Sequence, residues 1–239
     1  MRNNMGISHL AIIPDGNRRC ARKLLKTPWK GHSWGMQKLR DVFGWCKELR
    51  IKVITFYTLS LENLNTRPKR ELNFLFRLAK KEIRDILENR DSFIHKNKVR
   101  VKCFGAVELL PNDLQEGLKK LVRATKNYSS FFLNLAIAYG GRQEIITACR
   151  KIGSLVSRGK LAPKEINEGV LRHNLQTNGF PDPDLVIRTG GEERLSNFLL
   201  FQTAYSELAF TRTYWPELKK EEFFSLVRNF SARERRFGS

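Results

Sequence analysis

Three short segments of the chain place acidic, amide and basic side chains beside glycine or proline, a combination suited to binding metal ions and phosphates. The first segment, Ile13–Arg19, runs Ile-Pro-Asp-Gly-Asn-Arg-Arg. Asp15 can offer oxygen to Mg²⁺, Gly16 lets the backbone approach a ligand closely, and a helix that begins here would present N–H groups to an anion. Arg19 can hold phosphate oxygens with its fork of donors. Taken alone, such a segment is more often a turn with a helix cap, and that alternative stays open.

A later segment, Pro181–Phe198, gives the strongest local indication of function. Arg188 ends a short apolar run, and the glycine pair at 190–191 is followed by Arg194 and Ser196. Two arginines and a hydroxyl around a flexible turn can surround a diphosphate, and a purely structural loop rarely has this composition. The sequence contains no Walker A pattern, and no Gly-x-Gly-x-x-Gly follows a predicted strand. A diphosphate site is therefore favoured over a dinucleotide site.

The remaining polar positions are ambiguous when each is judged alone. Ser60–Pro68 clusters polar groups after an apolar run, but a loop with capping residues explains it more simply. His32 follows a glycine, and Tyr139–Arg142 has the composition of a turn that opens a helix. Glu207, between apolar residues, could be a salt-bridged structural residue or a metal ligand.

The elements that must position these segments alternate along the chain. Apolar runs bounded by turn-forming residues predict strands at His9–Ile13, Lys52–Leu59, Val99–Phe104, Phe131–Ala138 and Leu185–Arg188. Helical spacing of apolar residues predicts helices at Ser33–Leu49, Arg70–Asn89, Leu114–Lys126, Gln143–Ser157 and Lys164–Leu175. This alternation predicts an α/β fold with a mostly parallel sheet, in which ligands bind at the carboxyl ends of the strands. With no repeat or linker in the sequence, we expect residues 1–239 to form a single domain.

Composition narrows the class of partner. The 239 residues carry a formal net charge of +20, which calls for an anionic partner: nucleic acid, an anionic membrane surface or a polyphosphate. No apolar run reaches the roughly 18–20 residues of a membrane span, and Met1–Ser8 lacks the apolar core of a signal peptide. We therefore expect a cytoplasmic protein. Its four cysteines are far apart and predict free thiols rather than a zinc site.

Taken together, these segments resemble the cis-prenyltransferases, the family of undecaprenyl diphosphate synthase. The motifs follow one another over nearly the whole chain: His9–Arg19, Ser60–Asn63 with Arg67-Pro68, Tyr139–Arg142, Pro181–Leu200, Ala204–Leu208, Trp215-Pro216 and Arg233–Gly238. The resemblance implies a homodimer whose central six-stranded, mostly parallel sheet is surrounded by helices and includes a hydrophobic tunnel. It also implies Mg²⁺-dependent condensation of isopentenyl diphosphate units onto farnesyl or geranylgeranyl diphosphate. The product would be a long-chain Z-polyprenyl diphosphate, a lipid-carrier precursor that is released by peripheral contact with a membrane.

The resemblance also implies residue roles. Asp15 would bind Mg²⁺ and help the allylic diphosphate depart, and Glu207 would assist the metal. The implied catalytic residues are Asp15, Asn17, His32 and Asn63. The implied substrate-binding residues are Gly16, Arg18, Arg19, Ser60, Glu62, Arg67, Arg188, Arg194, Ser196, Arg236 and Gly238, the last two reaching the partner subunit's site. The best candidate wall for the tunnel is the helical stripe Leu72, Leu75, Phe76, Ala79 and Ile83, for which ordinary core packing is an equally natural explanation.

Some positions depart from the pattern of the family. Pro28 stands where many members have a phosphate-binding arginine, and Lys26 or Lys30 could replace it. Pro14 and Arg18 are more similar to archaeal members, which suggests the longer starter, geranylgeranyl diphosphate. These departures concern the starter and how it is bound rather than the class of reaction.

Two rival functions remain at this stage. A non-catalytic subunit of a two-component prenyltransferase would typically lack the aspartate and several substrate arginines, whereas Asp15, Arg19, Arg188 and Arg194 are all present. A nucleic-acid-binding protein is suggested by the net charge alone. The sequence shows neither zinc-finger spacing nor an RNP-like run, so we expect no nucleic-acid partner.

Overall fold

A computed structural model describes residues 6–28 and 30–231 of the protein. Its strands are β1 (His9–Ile13), β2 (Val53–Ser60), β3 (Val99–Phe104), β4 (Phe131–Tyr139), β5 (Leu185–Arg188) and β6 (Glu207–Phe210). They form one six-stranded sheet in the order β3-β4-β2-β1-β5-β6. All the neighbouring pairs are parallel, so the expected α/β class with a mainly parallel sheet is confirmed.

Helices connect the strands and cover the sheet. They are α1 (Asn17–Lys23), α2 (Lys30–Glu48), α3 (Leu61–Thr66), α4 (Lys69–Glu88), α5 (Phe93–Lys96), α6 (Asn112–Thr125), α7 (Gly141–Ser157), α8 (Glu168–Asn174) and α9 (Lys220–Ser231). Short 3₁₀ turns lie at Val107–Leu109, Pro163–Glu165 and Trp215–Glu217. Within the described residues, no helix combines the length and the apolar character needed to cross a membrane.

The predicted strands agree with the structure to within one residue at each end, but one predicted helix is wrong. Instead of a continuous helix over Lys164–Leu175, the chain forms the Pro163–Glu165 turn and then α8, which begins at Glu168. Asn167 separates the two because it is extended, with its side chain accepting a hydrogen bond from the Val170 N–H. An asparagine that caps a helix cannot also lie in its interior.

The burial of the strands agrees with their parallel pairing, and it explains why the sequence gave no clear strand pattern for β6. Every residue of β1 and of β5 is buried, as expected for central strands covered by helices on both faces. Alternate residues of β1 enter two different core clusters, Leu10 and Ile12 in one and Ala11 and Ile13 in the other. The edge strand β6 is short and only partly buried, so it lacks the continuous apolar run of β1 and β5.

The strand order places a binding crevice at the end of β1. From β1 the sheet extends one way through β2 to β4 and β3, and the other way through β5 to β6. The connections that follow β1 and its neighbours therefore diverge, which opens space at the carboxyl ends of the central strands. Asp15 follows β1 directly, so the topology places it at this crevice.

Candidate active site

A polar cavity of about 800 Å³ lies at the carboxyl ends of β1, β2 and β5. Its ionisable lining comprises six arginines, three carboxylates and one histidine: Arg18, Arg19, Arg22, Arg67, Arg188, Arg194, Asp15, Glu62, Glu192 and His32. Arginines thus outnumber carboxylates two to one, and the cavity carries an excess of positive charge. Such a cavity suits a ligand with several negative charges, such as a diphosphate.

Asp15 lies between two arginines that come from different parts of the chain. Its Oδ1 accepts a hydrogen bond from the Gly16 N–H at 2.6 Å and pairs with Arg19 at 3.2 Å. Its Oδ2 accepts from Arg188 Nη2 at 2.9 Å. Thr189 holds the backbone, since its hydroxyl lies 2.8 Å from the Asp15 carbonyl oxygen. The carboxylate, about one third exposed, remains accessible from the cavity.

Gly16 shapes the turn between β1 and α1. Its φ is 98°, a conformation that side chains rarely adopt, and an added Cβ would lie 2.7 Å from the Tyr214 ring. Both the backbone angle and the close approach therefore require glycine. Because the turn is this tight, α1 begins at Asn17 and directs its first turn, with Arg18 and Arg19, into the cavity.

Arg188 is the most buried arginine of the site, with only 5% of the residue exposed. Its Nη1 donates to Ser196 Oγ at 2.7 Å and to the Arg194 carbonyl oxygen. Its Nε has no hydrogen-bond partner among the described residues. A buried donor without an acceptor is costly, so the geometry around Arg188 favours a further acceptor in addition to the Asp15 carboxylate, such as an anion beside Ser196.

A second buried cluster joins α2 to α4 on the other side of Asn17. Glu71, 3% exposed, accepts from His32 Nε2 at 3.1 Å and pairs with Arg67 at 3.3 Å. Burial lowers the pKa of His32 below its ordinary value of 6.5. The hydrogen bond from His32 in turn lowers the pKa of Glu71. At neutral pH the pair is therefore a neutral imidazole and a carboxylate, with Nδ1 of His32 left as the acceptor nitrogen.

Asn17 stands where α1 and α2 meet. Its Nδ2 donates to the Pro14 carbonyl oxygen at 3.2 Å, while its buried Oδ1 has no partner among the described residues. Gly31 permits this close packing, since a Cβ there would lie 1.9 Å from the Asn17 carbonyl oxygen. Gly35 also belongs to this contact, because a Cβ there would lie 2.3 Å from Asn17 Oδ1.

Asn197 holds together the loop that carries Ser196. Its backbone oxygen accepts from the Gly141 N–H at 2.7 Å, its Oδ1 from the Arg142 N–H at 2.9 Å, and its Nδ2 donates to Glu62 at 2.7 Å. Ser196 and Asn197 both have positive φ values, of 50° and 65°, a conformation that is strained for serine and more readily adopted by asparagine. These bonds to two helices, α3 and α7, explain how the loop keeps that conformation.

An apolar cavity of about 200 Å³ adjoins the polar one. Four of the five predicted wall residues line it, namely Leu75, Phe76, Ala79 and Ile83. Leu72, the fifth, packs in the main core instead. The two cavities share the lining residues Pro14, Asn17, His32, Thr58 and Leu59. A ligand could therefore place a charged group in one cavity and an apolar chain in the other.

Most of the residues predicted from sequence meet in the polar cavity. Those that line it are Asp15, Gly16, Asn17, Arg18, Arg19, His32, Ser60, Glu62, Asn63, Arg67, Arg188, Arg194 and Ser196. Arg236 and Gly238 lie outside the described residues. Ser60 also caps α3, since its Oγ accepts from the Asn63 N–H at 3.0 Å, so the predicted capping role is present as well.

Glu207 is not brought to this cavity within the chain. It opens β6 and pairs with Leu185 at the amino end of β5, whereas Arg188 is at the carboxyl end. Leu185 and Arg188 are three residues apart on β5, so about 10 Å of strand separates the level of Glu207 from the carboxyl end of the sheet. A metal-binding role for Glu207 together with Asp15 therefore has no support from the geometry of a single chain.

Sequence reasoning missed four residues of the site: Arg22, Glu71, Glu192 and Asn197. Arg22 lines the cavity, whereas Lys26 and Lys30, the suggested replacements for the arginine missing at Pro28, do not. Its helical spacing from Arg18 and Arg19 could have indicated this. The sequence did not indicate a role for Glu71 in the site, because glutamate is common in the first turn of a helix.

Comparisons with known proteins agree with this geometry. Residues 13–238 match the Prenyltransf family model, that of undecaprenyl diphosphate synthases. A relative from Methanopyrus kandleri, named tritrans,polycis-undecaprenyl-diphosphate synthase (geranylgeranyl-diphosphate specific), is 51% identical over 96% of this chain and 84% of its own. A relative of the same name from Pyrococcus furiosus is 46% identical over 96% of this chain and 86% of its own.

The solved structures show the same likeness. Lavandulyl diphosphate synthase from Lavandula x intermedia, in complex with dimethylallyl diphosphate, superposes with a TM-score of 0.92 at 33% identity, covering 99% of this chain and 100% of that one. A probable undecaprenyl diphosphate synthase from Campylobacter jejuni superposes with a TM-score of 0.79 at 35% identity, covering 98% of this chain and 99% of that one. By its motifs, fold and relatives, the chain belongs to the undecaprenyl diphosphate synthase family of cis-prenyltransferases.

Proposed function

We propose that the protein adds isopentenyl diphosphate units to geranylgeranyl diphosphate and makes a long-chain Z-polyprenyl diphosphate. The observation that carries this proposal is the junction of the arginine-rich cavity with the apolar cavity, where Asn17 and His32 line both. An allylic diphosphate has a charged head and an apolar tail, and the junction suits the bond between them. The relatives named as geranylgeranyl-diphosphate specific support this starter over farnesyl diphosphate.

The arginines divide into two groups that suit two diphosphates. Arg19, with the N–H groups at the start of α1, would hold the allylic diphosphate. Arg188, Arg194 and Ser196 would hold the diphosphate of isopentenyl diphosphate. Asp15 pairs with both Arg19 and Arg188, so it lies between the two groups.

The reaction needs charge stabilisation more than it needs a nucleophile from the protein. The allylic C–O bond breaks, and its electron pair leaves with the diphosphate. The double bond of isopentenyl diphosphate attacks the allylic carbon to form the new C–C bond, and a proton is lost to the departing diphosphate. Arginines placed around the leaving group stabilise its charge as the charge develops. His32 and Asn17 orient the substrates at the junction of the cavities.

The donor set fits Mg²⁺. This ion is commonly held by one or two carboxylates together with substrate phosphates, and Asp15 offers one accessible carboxylate beside the arginines. Among the described residues, no three histidine, cysteine, aspartate or glutamate side chains form a metal cluster, so the substrate itself would complete the coordination. When bound, the ion would neutralise part of the charge on the leaving diphosphate.

We further propose that the working form is a homodimer, in which Arg236 and Gly238 reach the partner subunit's site. The open edge of the sheet at β6, where Leu208 is 37% exposed, supports an interface there. A long polyprenyl product is insoluble in water, so the protein would also contact a membrane to release it.

Activity is tested with purified protein, labelled isopentenyl diphosphate and Mg²⁺. Farnesyl and geranylgeranyl diphosphate are supplied in separate reactions, and the extracted lipid is sized. We expect long products from geranylgeranyl diphosphate and a loss of at least about a hundredfold in Asp15→Ala. If folded dimer makes no product from either starter, the protein is a non-catalytic subunit and the proposal fails.

A further inference from the structure

The proposed reaction does not explain the exposed connection between α1 and α2. Leu25 is 95% exposed and Leu24 is 51% exposed, and Leu25 is the most exposed large apolar side chain of the described residues. Leu25 also has a φ of 52°, a left-handed conformation that is costly for a residue with a Cβ. Neither burial nor backbone geometry accounts for a leucine at this position. We call residues 22–26 the leucine loop.

Basic residues surround the two leucines. All five residues of the leucine loop are exposed, and residues 18–30 contain no aspartate or glutamate. Lys23 pairs with Glu217 at 3.0 Å. Lys26 and Lys30 do not line the polar cavity, so the proposed substrates do not account for them. An apolar tip flanked by cations has the character of a surface that binds the interface of an anionic membrane.

We propose that the leucine loop docks the protein on an anionic lipid bilayer. Leu24 and Leu25 enter the boundary between headgroups and acyl chains, and Lys26 and Lys30 face the anionic headgroups. Trp34, 37% exposed and one helical turn beyond Lys30, extends the same surface with a residue type that favours membrane interfaces.

The leucine loop is tied to the active site at both ends. Arg22, its first residue, lines the polar cavity, and α1 carries only seven residues between Asn17 and Lys23, a length of about 10 Å. After the loop, α2 begins at Lys30 and contributes His32 to the lining of the same cavity. Docking through this loop would therefore hold the cavity close to the lipid surface. The purpose of such docking, transfer of prenyl chains between lipid and the apolar cavity, rests on the proposed function.

The test measures binding to vesicles without any substrate, so it does not depend on catalysis. Sedimentation is compared for vesicles of phosphatidylcholine alone and of phosphatidylcholine mixed with phosphatidylglycerol. We expect binding to the mixed vesicles that weakens as salt is added. The double variant Leu24→Ser/Leu25→Gly should bind at least about tenfold more weakly, because two leucines leave the lipid.

Two controls separate docking from damage to the fold. Leu109 and Ile166 are 55% and 45% exposed elsewhere on the surface, so Leu109→Ser/Ile166→Ser should bind like the parent protein. Leu25→Gly alone should weaken vesicle binding while leaving the unfolding temperature equal or higher, because glycine accepts the positive φ without strain.

Three results would overturn the proposal. One is equal vesicle binding by the parent protein and the leucine-loop double variant. Another is an equal loss in the Leu109 and Ile166 control, which would indicate general apolar adhesion. The third is a change of oligomer size in the leucine-loop variant, measured by light scattering, which would identify the loop as a contact between protein chains.

Discussion

The two ends of the central strands both carry polar side chains, yet they are organised differently. At the amino end, Asp184 Oδ2 accepts from the Ser8 N–H, the Ser8 hydroxyl and the His9 N–H at 2.6–3.0 Å. His9 uses both ring nitrogens, one with the Pro181 carbonyl oxygen and the other with Thr55 Oγ1, each at 2.7 Å. At the carboxyl end, six arginines face an open cavity, and Asn17 Oδ1 and Arg188 Nε lack partners among the described residues.

This difference separates polar groups that are hydrogen-bonded within the fold from polar groups to which the proposed function assigns the substrates. The side chains of Asp184 and His9 are both nearly inaccessible, and both are hydrogen-bonded within the chain, as buried polar groups normally are. Asn134, whose Oδ1 has no partner, is the exception at that end. We therefore expect substitutions at the amino end to change stability, and those at the carboxyl end to change catalysis.

The largest expected effect is at Arg188. In Arg188→Met, turnover should fall by about a hundred- to a thousandfold, because one buried donor group to the diphosphate is lost. The free energy of unfolding should fall by only about 1 kcal/mol, because Asp15, which loses this partner, is partly exposed and keeps its pairing with Arg19. Steady-state kinetics and urea unfolding would measure the two quantities. A strongly destabilised variant with normal turnover would contradict the expected contrast between the amino and carboxyl ends of the strands.

Asp184→Asn should show the opposite behaviour. An amide keeps the shape but weakens three hydrogen bonds to a buried carboxylate, so the free energy of unfolding should fall by about 2 kcal/mol. Turnover per folded molecule should stay within about twofold of the parent value at a temperature where both are folded. If turnover collapses without loss of stability, the amino end is part of the site after all.

His9 should make stability depend on pH. Burial lowers its pKa from 6.5 to about 4, so the unfolded chain binds a proton more readily than the folded protein between those values. Stability should therefore fall as the pH drops, by about 2 kcal/mol between about pH 7 and about pH 5 from this residue. Urea unfolding across this range should show that the free energy of unfolding depends less steeply on pH in His9→Gln than in the parent protein. An equal pH dependence in the two proteins would contradict the assignment of this effect to His9.

Asn197→Ala should give the smallest effect of the four. The loop would lose its bonds to Glu62 and to the Arg142 N–H, so Ser196 would be held less firmly beside Arg188. We expect turnover to fall by about tenfold and the KM for isopentenyl diphosphate to rise, with a loss of stability of about 1 kcal/mol. Asn197→Asp keeps the acceptor for the Arg142 N–H but places a second carboxylate against Glu62, so it should lose more than Asn197→Ala. A smaller loss in Asn197→Asp would argue that the bond to the Arg142 N–H matters most.

Local patterns were sufficient for five of the six strands and for most site residues. Continuous apolar runs bounded by turn residues predicted β1 and β5 at their observed bounds, because central strands covered on both faces need apolar side chains at every position. The polar segments that follow these strands had to meet, since the carboxyl ends of parallel strands lie at one edge of the sheet. Residue types and order along the chain thus determined the polar cavity and five of its six arginines.

Tertiary structure alone decided the contacts between segments distant in the sequence. Glu71 belongs to the site only because α4 packs its first turn beside His32 of α2, and Asn197 because its loop meets α3 and α7. The register of β6 placed Glu207 at the amino end of the sheet. Its local sequence had not distinguished a structural role from a metal-binding role. Such contacts depend on how helices pack over the sheet, which a local pattern does not contain. The sequence determined which chemistry this protein can perform, and packing decided which further residues support it.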